Sequence, residues 1–120
     1  MTPTVAWGEV TIDCRDPERV AAFWSELLDT SARPQSDGWF QLGPIVQGGP
    51  VLNIQPVPEE KVGKARVHLD LWVDDLEAAV SLVEQLGGRH TGEVHTVPEG
   101  TDVVMADPEG TEFCVFALRA

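Results

Sequence analysis

Basic residues are scarce in this chain: eight Lys and Arg stand against twenty Asp and Glu, a formal net charge of −12. Such a field repels polyanions, so neither nucleic acid nor an anionic membrane is expected as a partner. A cationic ligand is compatible with it, and so is a plain solvated, self-repelling surface. Long apolar runs are missing too, and none approaches a membrane span. Met1-Thr2-Pro3-Thr4-Val5-Ala6-Trp7 shows neither the basic start nor the apolar stretch of a leader peptide, and the expected location is cytoplasmic. Cysteine is reduced to Cys14 and Cys114, without Cys-x-x-Cys spacing, which reads as two free thiols in a reducing compartment. A hydrolase signature is also lacking. His68 and Asp70 lie two apart on one segment, with no Ser or Cys nucleophile motif beside them.

What is present is a repeat. Glu9-Val10-Thr11-Ile12-Asp13-Cys14-Arg15-Asp16 reads as a strand running into a helix. Fifty-nine positions later His68-Leu69-Asp70-Leu71-Trp72-Val73-Asp74-Asp75 reads the same way. The helices that follow, Pro17 to Asp29 and Leu76 to Leu86, keep that offset. A repeat filling half the chain each time restricts the fold more than any single motif. In the first helix Val20, Phe23, Trp24, Leu27 and Leu28 make one apolar face, behind an Asp16 cap and a Pro17 start. In the second, Asp75 caps and Leu76, Ala79, Val80, Val83 and Leu86 form the face, with Gly87-Gly88 as the stop. Further strands are expected at Trp39 to Leu42, Pro50 to Val57, Gly92 to Val97, Asp102 to Ala106 and Glu112 to Leu118. Asp107-Pro108-Glu109-Gly110 reads as a turn between the last two. The hydrophobic fraction, 42%, suffices for one packed interior.

The reading is therefore α+β: two βαβββ modules forming one structural domain. The first spans 1–58, a polar linker covers 59–65, and the second spans 66–120. The modules are expected to pair into a curved mixed sheet with an open cleft and the helices outside. Strand alternation then assigns faces. Val10, Ile12 and Cys14 should face the first helix, leaving Glu9, Thr11 and Asp13 to the cleft. In the second module Val67, Leu69, Leu71 and Val73 should face the helix, leaving His68, Asp70 and Trp72 to the cleft. Asn53 and Gln55 join from one later strand, and Glu112, Cys114 and Phe116 from another. So many polar side chains on inward faces suggest a ligand or metal pocket, against the plainer reading of a wet groove.

These residues resemble the vicinal oxygen chelate superfamily of glyoxalases, bleomycin-resistance proteins and extradiol dioxygenases. The most specific stretches are Lys64-Ala65-Arg66-Val67-His68-Leu69-Asp70-Leu71, Met105-Ala106-Asp107-Pro108-Glu109-Gly110-Thr111-Glu112-Phe113-Cys114 and Gln55-Pro56-Val57-Pro58-Glu59. Together they are similar to its glyoxalase-like domain branch, whose close members tend to carry Asn where this chain has Ala65 and Thr111. The resemblance implies a homodimer. It also implies a divalent metal (Zn, Ni, Fe or Mn), where one is bound, held by one residue from the first and one from the last strand of each module. Carried over, those positions are Glu9, His68, Asn53 and Cys114. Asn and Cys depart from the Glu or His that metal-binding members usually have there.

The leading expectation is a small-molecule binder, taking a cationic or aromatic ligand against Asp13, Gln55, Asp70, Trp72 and Phe116. The alternative is a divalent-metal lyase, isomerase or dioxygenase using His68 and Glu9. A third reading is a domain acting through protein contacts. For His68 the choice is between a ligand and a histidine hydrogen-bonded to Glu9 or Asp70. Cys114 is the small buried residue that a free cysteine commonly is, or a ligand. His90 and His95 are expected at the surface or the pocket rim.

Overall fold

In the computed structural model, which describes residues 3, 4 and 7–119, the repeat becomes two units, Met1–Glu59 and Glu60–Ala120. The N-terminal stretch read above for a leader falls partly on residues 1, 2, 5 and 6, outside the described residues. Each unit is a four-stranded mixed sheet with one helix. In the first, β1 (Glu9–Cys14), α1 (Pro17–Leu27), β2 (Ala32–Pro34), β3 (Phe40–Leu42) and β4 (Val51–Pro56) give the strand order β1-β4-β3-β2. In the second, β5 (Asp70–Trp72), α2 (Leu76–Gln85), β6 (Arg89–Val97), β7 (Gly100–Ala106) and β8 (Glu112–Leu118) give β5-β8-β7-β6. The orders are equivalent. In both units the strand before the helix pairs in parallel with the last strand, and the remaining pairings are antiparallel.

Local chemistry explains the helix boundaries. Asp16 Oδ1 accepts from the Arg19 N–H at 3.2 Å, and Asp75 Oδ1 from the Ala78 N–H at 3.0 Å. Both cap a first-turn donor that has no partner within the helix. Gly87, at φ 102°, follows α2 as expected. The first helix was expected to reach Asp29 but stops at Leu27. Asp29 itself turns left-handed, at φ 51°, in the role a glycine usually takes.

Alternation sorts each sheet into two faces. Ile12, Cys14, Leu52 and Ile54 are buried with Val20, Phe23 and Trp24 of α1, whose rings meet edge to face at 5.3 Å. Phe113, Val115, Met105 and Val83 are fully buried in the second unit. The expected turn is present: the Gly110 N–H donates to Asp107 O at 2.9 Å. The buried Asp107 carboxylate also accepts from the Glu109 and Thr111 N–H groups.

One strand is shorter than expected. β5 begins only at Asp70; Arg66 and Val67 bend away from the sheet, and Val67 is 83% exposed rather than facing the helix. His68 is therefore not a strand residue. It stands just beyond the end of the ladder, whose last tie there is the Cys114 N–H donating to Leu69 O at 2.9 Å. Residues 60–65 are instead held by side-chain contacts at the start of β8, where Lys61 and the Ala65 N–H both reach the Glu112 carboxylate.

Candidate functional site

The face of the first sheet away from α1 carries Glu9, Asn53, Gln41 and Arg33, one from each strand. They form a continuous hydrogen-bonded row. Arg33 Nη2 donates to Gln41 Oε1 at 3.5 Å and to Gly43 O at 2.6 Å. Gln41 Nε2 donates to Asn53 Oδ1 at 3.2 Å, and Asn53 Nδ2 donates to Glu9 Oε2 at 2.8 Å. Every donation runs the same way, from the cation toward the carboxylate. A carboxylate only accepts, so Glu9 dictates which end of the Asn53 amide faces it. Asn53 is 5% exposed and needs these partners. The register sets Asp13 opposite Gln55 on the same face, Asp13 exposed and Gln55 half-buried.

On the second sheet the register aligns two rows. One holds Asp70 and Cys114; the other runs Trp72, Phe116, Asp102 and His95. His68 Nδ1 lies 3.2 Å from Asp70 Oδ1, and Cys114 is the register partner of Asp70 across the β5–β8 pair. One ligand atom from each of His68, Asp70 and Cys114 falls within 4.8 Å of the others. Burial pushes the Cys114 thiol up to about 11, and the charges of Asp102, Asp70 and Glu93 add to it. Trp72 is 77% exposed and Phe116 half-buried beside it. His95 sits between two carboxylates, with Nδ1 2.9 Å from Asp102 Oδ1 and Nε2 3.6 Å from Glu93 Oε2.

Glu112 begins β8 but its carboxylate is occupied. Lys61 Nζ reaches it at 2.8 Å, and the Ala65 N–H reaches both oxygens at 3.2 Å. Burial raises its pKa, yet the Lys61 hydrogen bond and charge and the backbone N–H groups outweigh this and hold it below the usual carboxylate value.

The family-type metal set thus divides between the units. Glu9 and Asn53 are joined to each other in the first. His68 and Cys114 gather around Asp70 in the second. An amide coordinates metal through its oxygen, and Asn53 turns that oxygen to Gln41 and its NH₂ to Glu9, so this pair is poorly suited to sharing a cation. The trio around Asp70 offers N, O and S donors and fits a divalent ion better.

His95 was expected at the surface or the pocket rim, and it is exposed beside Asp102. Three participants escaped the sequence reading. Gln41 was discoverable, since it alternates with the core residue Leu42. Arg33 lies on a three-residue strand with no periodicity. Lys61 belongs to a segment that reads as linker.

Residues 9–116 match the glyoxalase-like domain family. No curated protein matches the chain. Solved structures share its fold. A glyoxalase/bleomycin resistance protein/dioxygenase family enzyme from Burkholderia phytofirmans matches with TM-score 0.77 and 16% identity, over 93% of this chain and 98% of its own. A mutant of the fosfomycin resistance protein FosX from Listeria monocytogenes, complexed with Mn(II) and 1S,2S-dihydroxypropylphosphonic acid, matches with TM-score 0.77 and 13% identity, over 98% and 93%. Lactoylglutathione lyase from Agrobacterium tumefaciens matches with TM-score 0.65 and 17% identity, over 97% and 96%. With its duplicated βαβββ unit and a family match running from the first strand to the last, this chain belongs to the glyoxalase-like domain family of the vicinal oxygen chelate superfamily.

Proposed function

We propose that this protein binds a small cationic, aromatic molecule on the open face of its second sheet. The observation that carries this reading is the juxtaposition of Trp72 and Phe116 with Asp70 and Asp102 in adjoining register positions. An exposed indole loses water favourably to a flat ligand, and a cation over its face gains from the ring quadrupole. The carboxylates on either side add attraction for positive charge, and the chain's net charge of −12 steers the same partners.

The alternative is a divalent-metal lyase, isomerase or dioxygenase with His68 and Glu9 as ligands. A metal bound there would supply a Lewis acid for a substrate oxygen. It has weaker support, because Glu9 is engaged by Asn53 and, among the described residues, the donors gathered with His68 are Asp70 and Cys114, with no second imidazole for a dioxygenase iron.

Tryptophan fluorescence tests the first reading, with phenyltrimethylammonium as probe and benzyl alcohol as neutral control. Saturable quenching by the cation alone is expected. Trp72→Ala should weaken affinity about tenfold, the scale of a partly desolvated cation–π contact. Equal responses to both probes, or an unchanged response in Trp72→Ala, would remove the cationic-ligand reading.

A further inference from the structure

We infer that the second unit carries a zinc-class metal site of its own, formed by His68, Asp70 and Cys114 and independent of Glu9. It does not rest on the cationic-ligand reading. The backbone builds most of the site. Asp70 and Cys114 are direct partners across the parallel β5–β8 pair, so their side chains rise together from one face. His68 is two residues before Asp70, beyond the last backbone tie at Leu69, and returns its ring to the Asp70 carboxylate at 3.2 Å.

The spacing suits a single ion. Tetrahedral zinc with ordinary Zn–N, Zn–O and Zn–S bonds holds its ligand atoms roughly 3.3–3.6 Å apart. The imidazole and carboxylate stand 3.2 Å apart, slightly inside that separation, and all three groups lie within 4.8 Å. Modest side-chain rotation closes the remainder. Among the described ion pairs, Asp70 meets no lysine or arginine that would have to be displaced.

Donor chemistry and exposure set the class of ion. Thiolate with imidazole and carboxylate favours zinc over manganese or magnesium, which prefer oxygen. The His68 and Asp70 side chains are 47% and 58% exposed while Cys114 is buried. One side of the trio therefore opens to solvent, leaving a fourth position for water as in zinc sites that bind substrate. Glu9 is left out because its carboxylate terminates the hydrogen-bonded row of the first sheet.

Cobalt(II) titration of the purified full-length chain tests this, followed by absorption and by zinc competition. One equivalent is expected to bind with a thiolate-to-cobalt charge-transfer band in the near ultraviolet, displaced by zinc. Asp70→Asn and His68→Gln alter exposed side chains and should fold normally by circular dichroism. Each is expected to lose affinity by about a hundredfold or more, beyond what outer ligand partners usually contribute. Cys114→Ser should abolish the band, and Glu9→Gln should leave stoichiometry and affinity unchanged. Cobalt bound without the band, no binding at all, or loss of binding in Glu9→Gln would each overturn the inference. The fluorescence response to phenyltrimethylammonium is read on metal-free protein, so failure of one proposal is distinguishable from failure of the other.

Discussion

The two sheets share one topology and carry opposite kinds of surface chemistry. On the first, a guanidinium, two amides and a carboxylate satisfy one another in sequence, and the buried Asn53 amide sits at the centre. On the second, three carboxylates, two imidazoles and a thiol share the sheet beside an exposed tryptophan, and Lys64 reaches the Glu93 carboxylate at 3.8 Å. Asn53 and Cys114 hold corresponding places, each facing the strand before the helix in its unit. Duplication therefore preserved backbone positions and left the side chains free to diverge. The first face reads as a closed hydrogen-bonded network and the second as an acidic, more exposed surface of short local pairs.

The contrast breaks most readily at Asn53. Asn53→Leu removes the centre of the row and strands both Gln41 and Glu9. Chemical denaturation should show a loss of about 2–3 kcal/mol, the cost of leaving buried polar groups unpaired. The matching change in the second unit, Cys114→Ala, should lose clearly less, because no extended network depends on the thiol. Equal losses would mean that the two faces are not different in kind.

Alkaline pH sharpens the comparison next. The Cys114 thiol is raised from the ordinary 9.0 to about 11, so the folded state keeps its proton after the unfolded chain has released its own. Its contribution is fully present below pH 9 and is lost as pH climbs to about 11, on the order of 2 kcal/mol by linkage. Denaturation at pH 8 and at pH 10.5, for wild type and Cys114→Ala, should show that loss in wild type alone.

The smallest effect is expected at Lys61. Its ion pair helps hold the Glu112 carboxyl below the ordinary value, so the stabilisation exists above that value and disappears as pH falls through the folded pKa. Lys61→Ala should lower stability by about 1 kcal/mol at neutral pH and flatten the acid limb of the profile. An unchanged acid limb would show that the Ala65 N–H alone secures Glu112.

How much of this was legible depends on whether a residue acts through its neighbours in sequence or across strands. The Asp16 and Asp75 caps, the apolar face of α1 and the alternation in β1 all involve residues a few positions apart. Periodicity and capping chemistry therefore expose them directly. The early stop of α1 at Leu27 was less visible, since Asp29 tolerates a left-handed backbone that most residues avoid. The shortness of β5 was hidden altogether. Val67 continues the apolar alternation, yet it lies in a bend before the strand, and nothing in the local pattern marks where pairing with β8 begins.

By itself the sequence determined the duplication, the helix boundaries to within two residues and the alternation of faces along β1. Those follow from steric and hydrogen-bonding preferences that operate within a turn or two of chain. Only the tertiary structure decided that Asn53 turns its oxygen away from Glu9, that Arg33 and Gln41 complete its row, and that Asp70 gathers His68 and Cys114. Strand register across distant segments sets those pairings, and register is settled by packing of the whole sheet rather than by any stretch of residues within it.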